Sequence, residues 1–196
     1  MLPNDPLEAL TDDQERILRI VLERQAARGG WVAELDVLVS LPLDVESTAS
    51  DVLAALTDRG MVARSNGTPP TYRATAAGLI NSPETRGPTF RLVNTALTLL
   101  RTRIETDGSD FREYTPADLA SIDVWVDSME PRLVHEVVEQ FMLLGGGSSG
   151  VGTDGKPYYL WQVPHDAAHF RKMKTWEDAY ARARAIVNRS SRYMKD

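Results

Sequence analysis

The chain has 196 residues, 42% of them hydrophobic, enough for one domain or two small ones. It contains no cysteine, which excludes disulfides and thiolate metal sites, and no apolar run reaches the ~20 residues that span a bilayer. The net charge of −6 is uneven: residues 1–80 and 81–163 each carry 7 basic and 12 acidic side chains, whereas residues 164–196 carry 8 and 4. An acidic body with a basic tail does not announce a polyanion partner, although a local basic patch outweighs the overall sum. The opening MLPNDPLEAL has neither the basic lead nor the apolar core of a secretory signal. A cytoplasmic protein with no membrane association is expected.

In chain order, residues 11–28 place Ile17, Ile20, Val21 and Arg24 or Gln25 at helical spacing, with acids in the first turn. Thr11 is the expected N-cap and Gly29-Gly30 the stop. A second short helix fits Val32 to Leu41, with Leu35, Leu38 and Val39 apolar, and Pro42 ends it. A third spans about Glu46 to Arg59 on an inward stripe of Ala49, Val52, Leu53 and Leu56, with Gly60 as its left-handed stop. Met61 to Ala63 reads as a strand, Asn66-Gly67 as a turn and Thr71 to Ala74 as the return strand.

Three helices and a hairpin make the winged-helix plan. Residues 11–80 resemble the MarR and PadR families, whose recognition helix ends in a Leu, two or three polar residues and a Gly, then a hydrophobic pair. Here that run is Leu56-Thr57-Asp58-Arg59-Gly60-Met61-Val62, and the return strand leads into Thr75-Ala76-Ala77-Gly78. The resemblance implies a DNA-binding regulator. The position of Asp51, commonly Arg in that pattern, departs from it.

The order then repeats after the linker 81–88, which holds Pro83 and Pro88. Residues 89–106 form a helix with Leu92, Val93, Ala96, Leu99 and Leu100 inward, and Thr115-Pro116-Ala117-Asp118 starts another. A third helix covers about Glu130 to Leu144, with Leu133, Val134, Val137, Val138 and Phe141 inward. Arg132, His135, Glu136, Glu139 and Gln140 are left outward. Gly145 to Val163 reads as a longer wing, so that Val52-Leu53 answers Val137-Val138 and Tyr72 answers Tyr158. Residues 164–196 form a basic helical segment opening at Thr175-Trp176-Glu177-Asp178 and frayed from Ser190. The expected fold is mainly α with small β-hairpin wings (α+β): winged-helix domains at 1–80 and 89–163, then C-terminal helices.

Two motifs suggest chemistry. Gly150-Val151-Gly152-Thr153-Asp154-Gly155-Lys156 matches the start of a phosphate-binding loop, but Pro157 stands where a magnesium-binding hydroxyl is needed and a strand follows instead of a helix. His165-Asp166-Ala167-Ala168-His169 sets two imidazoles one turn apart, with Asp166 where a protease needs Glu and no evident third ligand. Neither a catalytic centre, a metal nor a cofactor is expected. Of the four tryptophans, Trp31, Trp125, Trp161 and Trp176, most are expected in packing.

The expected outward face of the helix near 46–59 is Ser47, Thr48, Asp51, Ala54, Ala55 and Asp58, with no Lys or Arg between Asp44 and Asp58. Duplex contacts must then come from Ser47 and Thr48 reading bases, and from Arg59, Arg64, Arg73, Arg132, Lys156, Arg171, Lys172 and Lys174 meeting phosphates. The leading expectation is a transcriptional regulator binding duplex DNA through its wings and basic tail. The alternative is a protein-binding adapter, because the chain's size and acidity resemble the ScpB and MukE accessory subunits of SMC complexes. Either form admits a homodimer.

Overall fold

The structure, a computed structural model, describes residues 9–28, 30–41, 48–107, 111–143, 147–162 and 173–193. Among these, helix predominates over two small antiparallel three-stranded sheets. The chain divides into two units, Met1–Gly87 and Pro88–Asp196.

In the first unit, α1 (Asp12–Arg28) starts at a reciprocal cap: the Thr11 amide donates to Gln14 Oε1 at 3.2 Å, and the Gln14 amide to Thr11 Oγ1 at 3.3 Å. Its inward face is Ile17, Leu18, Ile20, Val21 and Gln25. Then come β1 (Val32–Ala33), α2 (Glu34–Leu38), α3 (Ala49–Asp58), and the hairpin β2 (Val62–Arg64) and β3 (Thr71–Ala74). The sheet order is β1-β3-β2, with Val32 opposite Tyr72 and Val62 opposite Ala74. The second helix is therefore shorter than its sequence suggests, because Val32 and Ala33 pair with β3.

Gly60 ends α3 at φ 69°, with the Met61 amide donating to the Leu56 carbonyl and the Gly60 amide to Thr57. That double bond is the Schellman stop that a left-handed glycine permits. The core joins Leu53, Leu56, Met61, Val62 and Tyr72 to the α1 face. Gln25 crosses this core to accept the Ala74 amide at 2.8 Å, so α1 and β3 are tied by a buried polar bond.

Residues read as a linker are helical. α4 (Ala76–Asn81), capped by Thr75, is followed by α5 (Pro83–Asp107), and the boundary between the units falls inside α5. Pro83 occupies the first turn of α5, where its missing N–H leaves no intrahelical bond unmade.

The second unit follows the same order: the rest of α5, β4 (Phe111–Tyr114), α6 (Pro116–Ile122), a 3-10 turn (Val124–Ser128), α7 (Pro131–Val137), β5 (Gly147–Val151) and β6 (Pro157–Gln162). Its sheet order, β4-β6-β5, repeats that of the first unit. α6 opens with a complete capping box between Thr115 and Asp118. α8 (Trp176–Tyr193) closes the chain with Ala179 and Ala183 buried, and Trp176 stacks on Phe90 at 3.8 Å between centroids. The helix thus continues through Ser190 to Tyr193, past the point where fraying is expected.

Two expectations about this unit change. The third helix does not run regularly to Leu144: α7 gives way to a π turn at Val138–Met142, with the Leu143 amide reaching the Val138 carbonyl at 3.1 Å. Val138, Phe141 and Met142 are buried at the spacing of one helix face, and Leu143, one residue beyond, is buried after the wide turn. The partner of buried Tyr72 in the repeat is Tyr159, not Tyr158. Tyr159 is fully buried opposite Tyr114, whereas Tyr158 is half-exposed.

Candidate interaction face

α3 turns Thr48, Ser50, Asp51, Ala54 and Asp58 to the surface and buries Ala49, Leu53 and Leu56. Neither α2 nor α3 contains Lys or Arg. Ser47 lies outside the described residues.

Beside this face, α2 presents apolar side chains. The strand at Val32–Ala33 delays the helix start to Glu34, a phase that sends Val37 into the core and leaves Leu35 67% and Val39 68% exposed. Trp31, expected in packing, is 46% exposed. Scattered exposed apolar residues are ordinary, but here Leu35 and Val39 are one helical turn apart, and Trp31 precedes their element. Glu34 links the two helices by accepting the Ser50 hydroxyl at 2.8 Å.

The arginines expected to supply phosphate contacts are partly committed elsewhere. Arg59 donates to Gln14 Oε1 at 2.5 Å and to the Ala9 carbonyl at 3.1 Å, so it fastens the end of α3 to the start of α1. Arg64, exposed on β2, hydrogen-bonds Tyr72. The Tyr72 hydroxyl is pushed above its usual range by burial and then by the Glu34 carboxylate, with Arg64 opposing both. Arg73 is half-buried on β3 opposite Ala63.

In the second unit, Arg132 is exposed in the first turn of α7 and Lys156 at the tip of the β5–β6 hairpin. The phosphate-loop-like run ends β5 and turns back into β6, with the Gly152 amide donating to the Lys156 carbonyl at 2.8 Å. Lys174 is exposed just before α8, while Arg171, Lys172 and the pair His165 and His169 lie outside the described residues. Among the described residues, no group of three or more His, Asp or Glu is placed to hold a metal ion, and no helix is long and apolar enough to cross a membrane.

The expected outward row on α7 requires one correction. Glu136 is 5% exposed and lies near the Tyr159 hydroxyl, whose pKa is raised by burial and then by the Glu139 and Glu136 carboxylates. The whole-helix periodicity misses this because α7 packs against β6 beside its apolar stripe: the His135 ring lies 6.0 Å from that of Tyr159. Glu139 and Gln140 are half-exposed in the π turn, and Ser149 on β5 donates to Glu139 at 2.5 Å.

Trp125 is half-buried beneath the Arg91 guanidinium, 4.4 Å from its ring centre, while Arg91 forms a two-pronged ion pair with Asp123. These contacts belong to the internal packing of the second unit. The signal that sequence reasoning missed is the exposed α2 pair Leu35 and Val39, which becomes visible only once the helix phase is known. Compared with models of known protein families, with curated proteins and with solved structures, the chain matches none.

Proposed function

We propose that the two units are winged helices in tandem and that the chain is a non-enzymatic adapter, docking a protein segment on the α2–α3 face of its first unit. The observation that carries this reading is the chemistry of that face. Asp51 and Asp58 on α3 and Leu35 and Val39 on α2 are all exposed, the two helices are joined by the Ser50–Glu34 hydrogen bond, and no Lys or Arg lies on either helix. A helix inserted in a major groove faces phosphates on both sides, and like charge at about 4 Å costs on the order of 1 kcal/mol even in water. A protein partner accepts both the carboxylates and the apolar side chains.

A second reading, duplex binding by a regulator, draws support from exposed Arg64 and Lys156 on the hairpins, with Arg132 and Lys174 outside them. Such binding would rest on few cations and fall steeply with salt, by about one log unit per phosphate contact.

Two measurements separate these readings. A photo-crosslinking side chain in place of Leu35 is expected to give a protein adduct in cells, and the same group in place of exposed Glu105 is not. Fluorescence anisotropy with random duplex at about 100 mM salt is expected to detect no binding by the wild type or by Asp51→Arg. Tight, site-specific duplex binding lost on Thr48→Ala would overturn the adapter.

A further inference from the structure

α5 changes partners along its length. Its first turn lies in the first unit, and none of Pro83 to Gly87 is fully buried. Hydrogen bonds hold that turn instead. The Thr85 hydroxyl donates to the Leu79 carbonyl at 2.6 Å, and the Arg86 guanidinium donates to the carbonyls of Ile80 and Asn81 at 2.8 and 3.3 Å. These acceptors belong to the last turn of α4, whose carbonyls have no amide left to receive within their own helix. Beyond Pro88 the partners are those of the second unit. Phe90 stacks on Trp176, Arg91 pairs with Asp123, the Trp176 amide donates to Asn94 Oδ1 at 3.0 Å, and Leu92 and Val93 are buried.

The change takes place across Gly87 and Pro88, where the helix is weakest. Pro88 has no N–H for the Glu84 carbonyl four residues back, and its ring crowds that carbonyl. The same ring opposes helical backbone at the residue before it. That residue is exposed Gly87, a poor helix former with nothing within 4 Å of an added Cβ beyond its chain neighbours. Sharp bends in helices occur at such residues, and the boundary between the units falls between these two.

We infer that α5 is a hinge at Gly87–Pro88, about which the two units turn as separate bodies. The inference stands whatever partner the α2–α3 face takes.

Distances between spin labels test it. The chain has no cysteine, so labels attach only where cysteine is placed. With Ala54→Cys on α3 and Ser121→Cys on α6, both exposed, double electron–electron resonance of the full chain reads the spread of distances between the units. Ala27→Cys with Ala54→Cys, both exposed in the first unit, gives the breadth that the labels add by themselves. A bend of about 20°, acting on an arm of about 13 Å for a small domain, moves a label by about 5 Å. The between-unit distribution is expected to exceed the within-unit one by that amount. Gly87→Ala with Pro88→Ala restores the missing N–H and should narrow it to the within-unit breadth, with helix content retained by circular dichroism. Pro88→Ala alone should narrow it part-way. A wild-type between-unit distribution as narrow as the within-unit one overturns the inference. So does a broad distribution that neither variant narrows.

Discussion

Gly78→Ala and Gly87→Ala are the same substitution in two helices, and the structure assigns them different costs. Alanine is favoured over glycine in a helix interior by about 1 kcal/mol, so propensity alone predicts stabilisation at both. At Gly78, in α4, an added Cβ would overlap the Met61 carbonyl oxygen and lie 3.3 Å from Leu18 Cδ1. That carbonyl is held by the Thr75 amide at 3.0 Å, so it cannot retreat without loosening the cap of α4. Overpacking of this kind costs about 1–3 kcal/mol, and the strained bond adds about 1 kcal/mol, against the propensity gain. The net expectation for Gly78→Ala is a loss of about 1–3 kcal/mol. At Gly87, in α5, a Cβ meets nothing within 4 Å beyond its chain neighbours, but the ring of Pro88 opposes a Cβ on the helical residue before it and offsets the propensity gain, so Gly87→Ala should change stability by less than about 1 kcal/mol. Urea titration followed by far-ultraviolet circular dichroism measures both, and an unchanged denaturant slope licenses the comparison. Equal effects at the two positions would refute the close packing of α4 on the start of β2.

Gln25→Leu strips the acceptor from the Ala74 amide and should destabilise the first unit by about 1–3 kcal/mol in the same titration. The Asp118 carboxyl is pushed up by burial but held below its usual range by stronger opposing hydrogen bonds from Thr115 and the Arg103 guanidinium. Its stabilisation is therefore present above the ordinary carboxylate pKa and is lost as pH falls through the depressed folded value; Asp118→Asn should flatten the acid limb of melting temperature against pH. Burial raises the hydroxyl pKa of Tyr114 and Tyr159, and among the described residues neither hydroxyl has a hydrogen-bond partner. Stability should thus persist below the ordinary tyrosine value and fall as pH rises above it. Tyr159→Phe should be neutral to slightly stabilising at pH 7 and extend the alkaline limit of thermal melts.

Features written in adjacent residues were legible without the fold. Thr11 with Gln14, Thr115 with Asp118, and Gly60 after Leu56 are caps and stops whose partners lie within one or two turns, so local sequence contains both halves of each bond. The α3 stripe Ala49, Leu53, Leu56 and the outward Asp51 and Asp58 follow from the same helical period. Features made by distant residues were not legible. The short strands β1 and β4 exist because Val32 meets Tyr72 and Tyr114 meets Tyr159, and a run of two to four residues has no period of its own. The β1 pairing sets where α2 begins, and so decides that Leu35 and Val39 face outward while Val37 is buried. Packing against β6 buries Glu136, and the π turn that follows leaves Leu143 buried beyond the expected stripe. Arg59 reaches Gln14 across 45 residues of chain, a bond set by the meeting of two helices. Periodicity shows that a helix has faces, but which neighbour each face meets is settled by contacts that local sequence does not contain.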